Sequence, residues 1–256
     1  MVERNKLPSL PTNLTIMHES QEKWRKKAWE KTLTKHKDEL EEMIEKIRLF
    51  DIWSNSLQNI EAAKKLIPEI FMDGYISIHF SCYGLYKYAN SCLRSQLETT
   101  LRLIYFSTHP IEFDWWGSGN EWYRNGLRKR DVWGDGYQYF QELTRVKEFE
   151  RKCGQGENLF RDGGRVSRIY GKLSAYVHSG IFSFQTKSDE FSPQYKIAQF
   201  KLWLSNFNEV QEYIHILLTL SFLDEFKNMR MREKETILQA AIRTDYQAKL
   251  KEMFGA

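Results

Sequence analysis

The sequence predicts an all-α protein, a helical bundle built on two long apolar helices and interrupted by a loop insertion rich in glycine and tryptophan. The 256 residues include only 5 prolines and 14 glycines, fewer than an all-β chain with many turns usually needs. Segments 75–107 and 193–228 carry apolar residues at the three- and four-residue spacing of a helix. Between them, 11 of the 14 glycines and 4 of the 8 tryptophans are concentrated.

These segments divide the chain into three parts. A charged helical extension occupies 1–56, the bundle occupies 57–229 with its loop-rich insertion at 108–164, and a last helix occupies 230–256. A compact chain of this length buries enough surface to fold without disulfides or a structural metal.

The first predicted helix, 18–48, has a basic first half and an acidic second half. Such a helix could pair with another helix in this chain or in a second copy, or could simply be solvated. A second helix is predicted at 57–71, with Pro68 disturbing its last turn, and the next segment follows Asp73–Gly74.

The segment 75–107 is expected to be one continuous helix that ends at His109–Pro110. Its apolar residues form one stripe that should face the core: Leu85, Ala89, Leu93, Leu97, Leu101 and Ile104.

Shorter helices are predicted in the insertion at 137–153 and 165–178. Ser192–Pro193 is a favourable start for the second long helix, because it offers a capping side chain followed by proline. A more polar helix is predicted at 231–253.

Several classes of protein are disfavoured. The longest apolar stretch, 214–223, is too short to span a membrane, and the N-terminus has no apolar signal region. Three cysteines without a CxxC pair fit a reducing compartment, so a cytoplasmic location without membrane contact is expected. His79 and Cys82 could share a metal on one helix, but core packing is the favoured interpretation, and we predict no metal and no cofactor.

The charge is concentrated in one region. The chain carries a net +4, whereas residues 124–172 alone hold 12 basic and 7 acidic residues, a net +5. This region is either a phosphate-attracting patch or an ordinary solvated surface. The candidate nucleic-acid-binding residues are Arg124, Arg128, Lys129, Arg130, Arg165 and Arg168. Trp122 and Trp133 could add base stacking there, or could fill the core beneath a loop.

Two short stretches offer chemistry. Arg94, Glu98 and Arg102 step by four along one helical face and form either a surface ion-pair ladder or a functional guanidinium–carboxylate row. In the later stretch, Ser174 and His178 also step by four, and Gly180 follows as a helix stop. A histidine at a helix C-terminus favours its charged form, which suits a general acid–base near a phosphate, or it is simply satisfied by the last carbonyls.

The pairing of LRSQLETTLRLIYFSTHP with a later YGKLSAYVHSG resembles the helical HEPN-like proteins of prokaryotes, many of which belong to anti-phage and toxin-type systems. The resemblance covers about 57–107 and 160–225. It implies an α-helical bundle, often dimeric, and a metal-independent ribonuclease. In that chemistry the RNA 2′-hydroxyl attacks the adjacent phosphate, a histidine moves protons, and an arginine four to six residues earlier stabilises charge.

The chain matches the family histidine at His178 but has Lys172 where the arginine is expected, and the nearest preceding arginine is Arg168. One hypothesis is therefore an RNA-cleaving or RNA- or nucleotide-binding defence effector, a homodimer or a subunit of a larger defence complex. Its predicted catalytic residues are His178, Arg94, Glu98, Arg102, Lys172 and Ser174. The alternative is a non-catalytic protein-interaction subunit in which these residues are structural.

Overall fold

A computed structural model describes residues 14–119, 144–154, 159–160, 163–178 and 194–254. These residues contain ten helices and no strand, which confirms the all-α class. In chain order the helices are α1 (Leu14–Ser56), α2 (Glu61–Cys82), α3 (Tyr86–Thr108), α4 (Pro110–Gly117), α5 (Thr144–Cys153), α6 (Arg165–Val177), α7 (Ile197–Ser221), α8 (Leu223–Asn228), α9 (Met231–Ala241) and α10 (Thr244–Phe254).

Helix α7 lies at the centre of the bundle. Every residue from Tyr213 to Leu220 is buried, and a helix that is buried on all sides must be surrounded by other helices. The hydrophobic core around it extends from Leu40 in α1 to Leu250 in α10. The three-part division predicted from the sequence stays a prediction, although residues of all three parts contribute to this core.

The predicted helix 75–107 is two helices. Helix α2 continues through Gly74 to Cys82, and α3 begins at Tyr86, so α2 and α3 form a hairpin that packs along its length. The break lies at Gly84, whose φ of 75° places it in the left-handed region that favours glycine. The apolar stripe of α3 is nonetheless buried as expected from Ala89 to Ile104.

Gly74 serves close packing inside α2 and is not a helix end. A Cβ built on it would lie 2.3 Å from Ile47 Cδ1 and 2.5 Å from Gln96 Nε2. Side chains from α1 and α3 therefore fill the space that a Cβ would take at this point.

Two more predicted helices are divided. The segment 193–228 contains α7 and α8, separated at Phe222, and 231–253 contains α9 and α10, separated near Ile242. Helix α7 begins at Ile197, and Ser192–Pro193 lies outside the described residues. Helices α5 and α6 fall within the two predicted short helices of the insertion.

Helix α1 is 43 residues long and kinks at His36, where φ is −139° and ψ is 30°. The first half of α1 is mostly exposed. Among the residues whose burial is described, Ala28 is the first that is buried. No helix in the described part of the chain has the length and apolar character that crossing a membrane requires.

Paired polar side chains connect the buried helices. The amide of Asn206 donates to Asn90 Oδ1 at 2.7 Å, and the amide of Gln211 donates to Gln96 Oε1 at 2.7 Å. All four residues are buried. Because a buried amide without a partner is costly, these bonds fix the register of α3 against α7.

Candidate functional site

Helix α6 packs on α3 through an amphipathic face. Its buried residues follow at three- and four-residue spacing, the pattern of one helical stripe: Val166, Ile169, Tyr170, Leu173 and Tyr176. The packing of this stripe brings the YGKLSAYVHSG stretch against the LRSQLETTLR stretch. The two segments that carry the family resemblance therefore meet in space.

The polar contact between α3 and α6 is made by three residues, Arg94, Glu98 and Tyr170, which we call the REY cluster. Arg94 Nη2 donates to Glu98 Oε1 at 2.8 Å and to the Tyr170 hydroxyl oxygen at 2.9 Å. The Tyr170 hydroxyl donates to the same Glu98 oxygen. The side chains of Arg94 and Glu98 are 20% and 25% exposed, so this charge pair is largely shielded from water.

The charged and polar groups of the REY cluster bond to one another. Burial and the bond to Glu98 raise the pKa of Tyr170, so its hydroxyl stays protonated and able to donate. Burial also raises the pKa of nearby Asp73, whose carboxyl interacts with Glu98 and bonds to Ser95. Arg94 is thus held between a carboxylate and a phenol and is not displayed as a free cation.

His178 lies at the other end of α6. It is the residue that caps the helix C-terminus, its backbone N–H donates to the Ser174 carbonyl at 3.0 Å, and its side chain is exposed. Ser174 Oγ donates to the Tyr170 carbonyl at 2.8 Å. A Cβ built on Gly171 would meet no described atom within 4 Å, so this side of α6 is open in the described structure.

The helix directions separate His178 from the arginines. Tyr170 contacts Arg94 and Glu98, whereas the hydroxyl of Tyr176 lies beside Asn206, which bonds to Asn90. Helix α6 therefore runs antiparallel to α3. At 1.5 Å per residue, His178 lies about 12 Å along the axis from Tyr170, toward the start of α3.

Arg102 lies in the opposite direction along α3, about 12 Å from Arg94 by the same helical rise. It does not join His178, and it is half-buried. Lys172, also half-buried, shares α6 with His178 and is the nearest preceding cation on that helix. Of the predicted catalytic residues, the structure thus brings together Arg94 and Glu98, and it leaves His178, Lys172 and Ser174 on α6.

Of the predicted nucleic-acid-binding residues, Arg165 and Arg168 lie in the described part of the chain, three residues apart in the first turn of α6. Arg168 is exposed and donates to the Gly163 carbonyl at 3.1 Å. Arg165 lines a polar cleft between α1, α7 and the α9–α10 junction. Four others lie outside the described residues: Arg124, Arg128, Lys129 and Arg130.

A polar cleft of about 560 Å³ lies between α1, α7 and the α9–α10 junction, with Arg165 at its wall. Two of its cations, Lys46 and Arg243, form ion pairs with carboxylates. Lys46 Nζ lies 2.7 Å from Glu42 Oε1, and Arg243 Nε lies 3.5 Å from Glu212 Oε1. Burial raises the pKa of Glu212. Opposite charges balance within the cleft, so it has no net preference for an anion.

Tyr170 is the site residue that sequence reasoning missed. It precedes Ser174 and His178 at the same four-residue spacing, and that repeat could have identified it as part of the same helical face. Its role depends on α3, which sequence spacing alone does not place.

Replacing Tyr170 by phenylalanine is expected to lower the free energy of unfolding by about 1.5–3 kcal/mol, because two hydrogen bonds to charged groups are lost without a change in shape. Denaturant unfolding followed by circular dichroism measures this change. The matched control is Tyr88→Phe, since Tyr88 is 56% exposed and its hydroxyl should contribute within about 0.5 kcal/mol. Equal effects of the two substitutions would contradict a stabilising REY cluster.

No grouping of three or more His, Cys, Asp or Glu in the described residues could hold a metal ion. His79 is exposed and packs edge-on against Tyr83, while Cys82 is buried and burial raises its thiol pKa to about 12.

No protein-family model, curated protein or solved structure matches this chain.

Proposed function

We propose that this chain is a HEPN-like effector of a prokaryotic anti-phage or toxin-type system that cleaves RNA without a metal, with His178 as the general acid–base. The observation that carries the proposal is the exposed His178 side chain at the end of α6, on a helix whose Gly171 side is open in the described structure. An exposed imidazole at a helix C-terminus is accessible to a phosphodiester, and histidine is the side chain most often used as a general acid–base.

The reaction needs proton transfer and charge stabilisation only. The 2′-oxygen forms a bond to phosphorus and loses its proton, and the bond from phosphorus to the 5′-oxygen breaks as that oxygen gains a proton. His178 serves these transfers, and Lys172 supplies positive charge from the same helix. A second copy of the chain would double the site across a homodimer.

The geometry gives Arg94 and Glu98 a different part in this proposal. Both are bound to Tyr170 and lie about two helical turns from His178, so we treat the REY cluster as positioning residues that fix α6 on α3. Ser174 bonds back to the Tyr170 carbonyl and stabilises the turn before His178.

Substituting His178 by alanine is expected to reduce RNA cleavage by at least about 100-fold, because the proton-transfer group is removed. The wild type and the variant are expressed in a bacterium, growth is followed, and total RNA is examined for fragments. The purified proteins are then incubated with RNA in chelator. The matched control is His79→Ala, which removes an exposed histidine from α2 and should cleave like the wild type.

The proposal fails if the wild type is harmless and leaves purified RNA intact. It also fails if His178→Ala cleaves as well as the wild type. Either result would favour the second candidate.

The second candidate is a non-catalytic protein-interaction subunit of a defence complex. The observation that favours it is the REY cluster, in which the best-placed arginine is already neutralised and bonded. On this hypothesis the polar residues of α3 and α6 hold the bundle together. His178→Ala then leaves growth and RNA unchanged while Tyr170→Phe still destabilises the fold.

A further inference from the structure

The first half of α1 carries a row of four lysines at four-residue spacing, Lys23, Lys27, Lys31 and Lys35, which we call the lysine row. All four side chains are exposed. At 1.5 Å per residue the row extends about 18 Å along the helix. Successive lysines are neighbours on the same side of α1, one helical turn apart.

The lysine row is not neutralised by the described protein. None of its members has an ion pair there, whereas the neighbouring Lys37 lies 3.7 Å from Glu41. The single described contact of the row is Lys35 Nζ, which lies 5.4 Å from the centre of the Tyr195 ring. Like charges at four-residue spacing oppose helix formation, so this row costs stability that a bound polyanion would offset.

The first half of α1 also has little core to hold it. Before the kink at His36, Ala28 and Thr32 are buried among the residues whose burial is described, and Thr32 Oγ1 donates to the Cys82 carbonyl at 3.3 Å. Trp29 is partly buried and contacts the rings of His79 and Tyr83. The helix is therefore attached along one narrow side, and the lysines remain accessible from solvent.

We propose that the lysine row binds the phosphate backbone of single-stranded RNA, as a sequence-independent surface separate from His178. The inference rests on the proposed function for the choice of RNA and adds the surface that would hold the strand. Four exposed ammonium groups release counterions from a phosphate chain, which favours binding without base contacts. Tyr195 beside Lys35 offers an aromatic ring at the end of the row for a base.

A second copy of the chain is the competing occupant. The second half of α1 carries Asp38, Glu41, Glu42 and Glu45, so two copies could align their basic and acidic halves. Exposed ion pairs contribute little, however, and Glu41, Glu42 and Glu45 are already paired with Lys37, Lys46 and Arg48 of the same helix. The unneutralised charge therefore favours RNA over self-association.

The test measures the salt dependence of RNA binding. All proteins carry His178→Ala so that the probe, a fluorescent single-stranded RNA of mixed sequence and about 20 nucleotides, stays intact. Binding is followed by fluorescence anisotropy from about 50 to about 300 mM salt, a range in which the slope of log affinity against log salt concentration can be measured. Replacing all four row lysines by glutamine is expected to flatten the log–log slope by about 2.8 and to weaken binding at least about 100-fold at 0.1 M salt.

The matched control removes four lysines elsewhere, Lys65, Lys201, Lys227 and Lys251, and so changes the net charge equally. Binding near the His178→Ala level in this control supports the row. Equal losses in both variants, or no measurable RNA binding by the His178→Ala parent, overturn it. A dimer in light scattering that dissociates only in the row variant, with RNA binding unchanged, also overturns it.

The two proposals fail separately. The row variant with an intact His178 is assayed for cleavage at low salt and high RNA concentration, where loss of affinity is overcome. Row-dependent binding without any cleavage by the wild type overturns only the catalytic proposal. Cleavage with binding that does not depend on the row overturns only this inference.

Discussion

Lowering the pH from 6.5 to 4.5 is expected to reduce the free energy of unfolding by about 2 kcal/mol through one residue, His215, because the loss approaches about 1.4 kcal/mol per pH unit once the unfolded chain is protonated. His215 is completely buried in α7, and burial lowers its pKa from 6.5 to about 3. Its Nδ1 accepts a hydrogen bond from Trp53 Nε1 at 3.0 Å, and its ring stacks on Phe50.

The direction follows from where the proton binds. Below pH 6.5 the unfolded chain takes up a proton on His215, whereas the folded protein keeps the imidazole neutral down to about pH 3. Protonation therefore favours the unfolded chain, and this contribution to stability is fully present above pH 6.5 and is lost as the pH falls towards 3.

Denaturant unfolding measures the effect at about pH 7.5, 6.5, 5.5 and 4.5, which covers the range in which the contribution of His215 begins to fall. His215→Asn is the informative variant, because its amide oxygen is at the same side-chain position as Nδ1 and can still accept from Trp53, and its side chain does not titrate. Its stability should depend less on pH than that of the wild type. Parallel pH curves for the two proteins would show that burial does not exclude the proton from His215.

Replacing Gly84 by alanine is expected to lower the free energy of unfolding by about 2–5 kcal/mol. Gly84 has a φ of 75°, and a Cβ there would lie 2.4 Å from the Gln194 carbonyl oxygen. The substitution combines backbone strain with a clash against main chain, which cannot move aside like a flexible side chain. Thermal or denaturant unfolding measures the loss.

Two other glycines separate the causes. Gly154 has a φ of 105° and no described atom within 4 Å of its Cβ position, so Gly154→Ala should show the strain alone, about 1–3 kcal/mol. Gly171 lies inside α6 with an ordinary helical backbone and no described atom of another element within 4 Å of its Cβ position, so Gly171→Ala should stabilise by about 0.5–1 kcal/mol. If Gly84→Ala costs no more than Gly154→Ala, the close approach of Gln194 is not important.

Helical class and core faces could be predicted from the sequence because they depend on local spacing. The stripe from Ala89 through Leu93 and Leu97 is buried in α3, and the apolar run of α7 is central. The Arg94–Glu98 pair was also predictable, since a four-residue step places both side chains on one helical face.

Helix boundaries were harder, because a glycine has two uses that look alike in a sequence. Gly74 was expected to lie between two helices, but it lies inside α2, where the side chains of Ile47 and Gln96 occupy the space that a Cβ would take. Gly84 makes the turn because its backbone is in the left-handed region. Only the neighbouring helices distinguish the glycine that admits close packing from the glycine that reverses the chain.

The sequence by itself determined the all-α class, the residues that fill the core and the pairing of charges within a helix, since each depends on side chains three or four residues apart. The tertiary structure decided which distant groups meet. It joined Tyr170 to Arg94 and Glu98, left His178 exposed at the end of α6, and buried His215 beside Trp53. These contacts join residues separated by 72 to 162 positions, and helix packing, which no local pattern encodes, sets them.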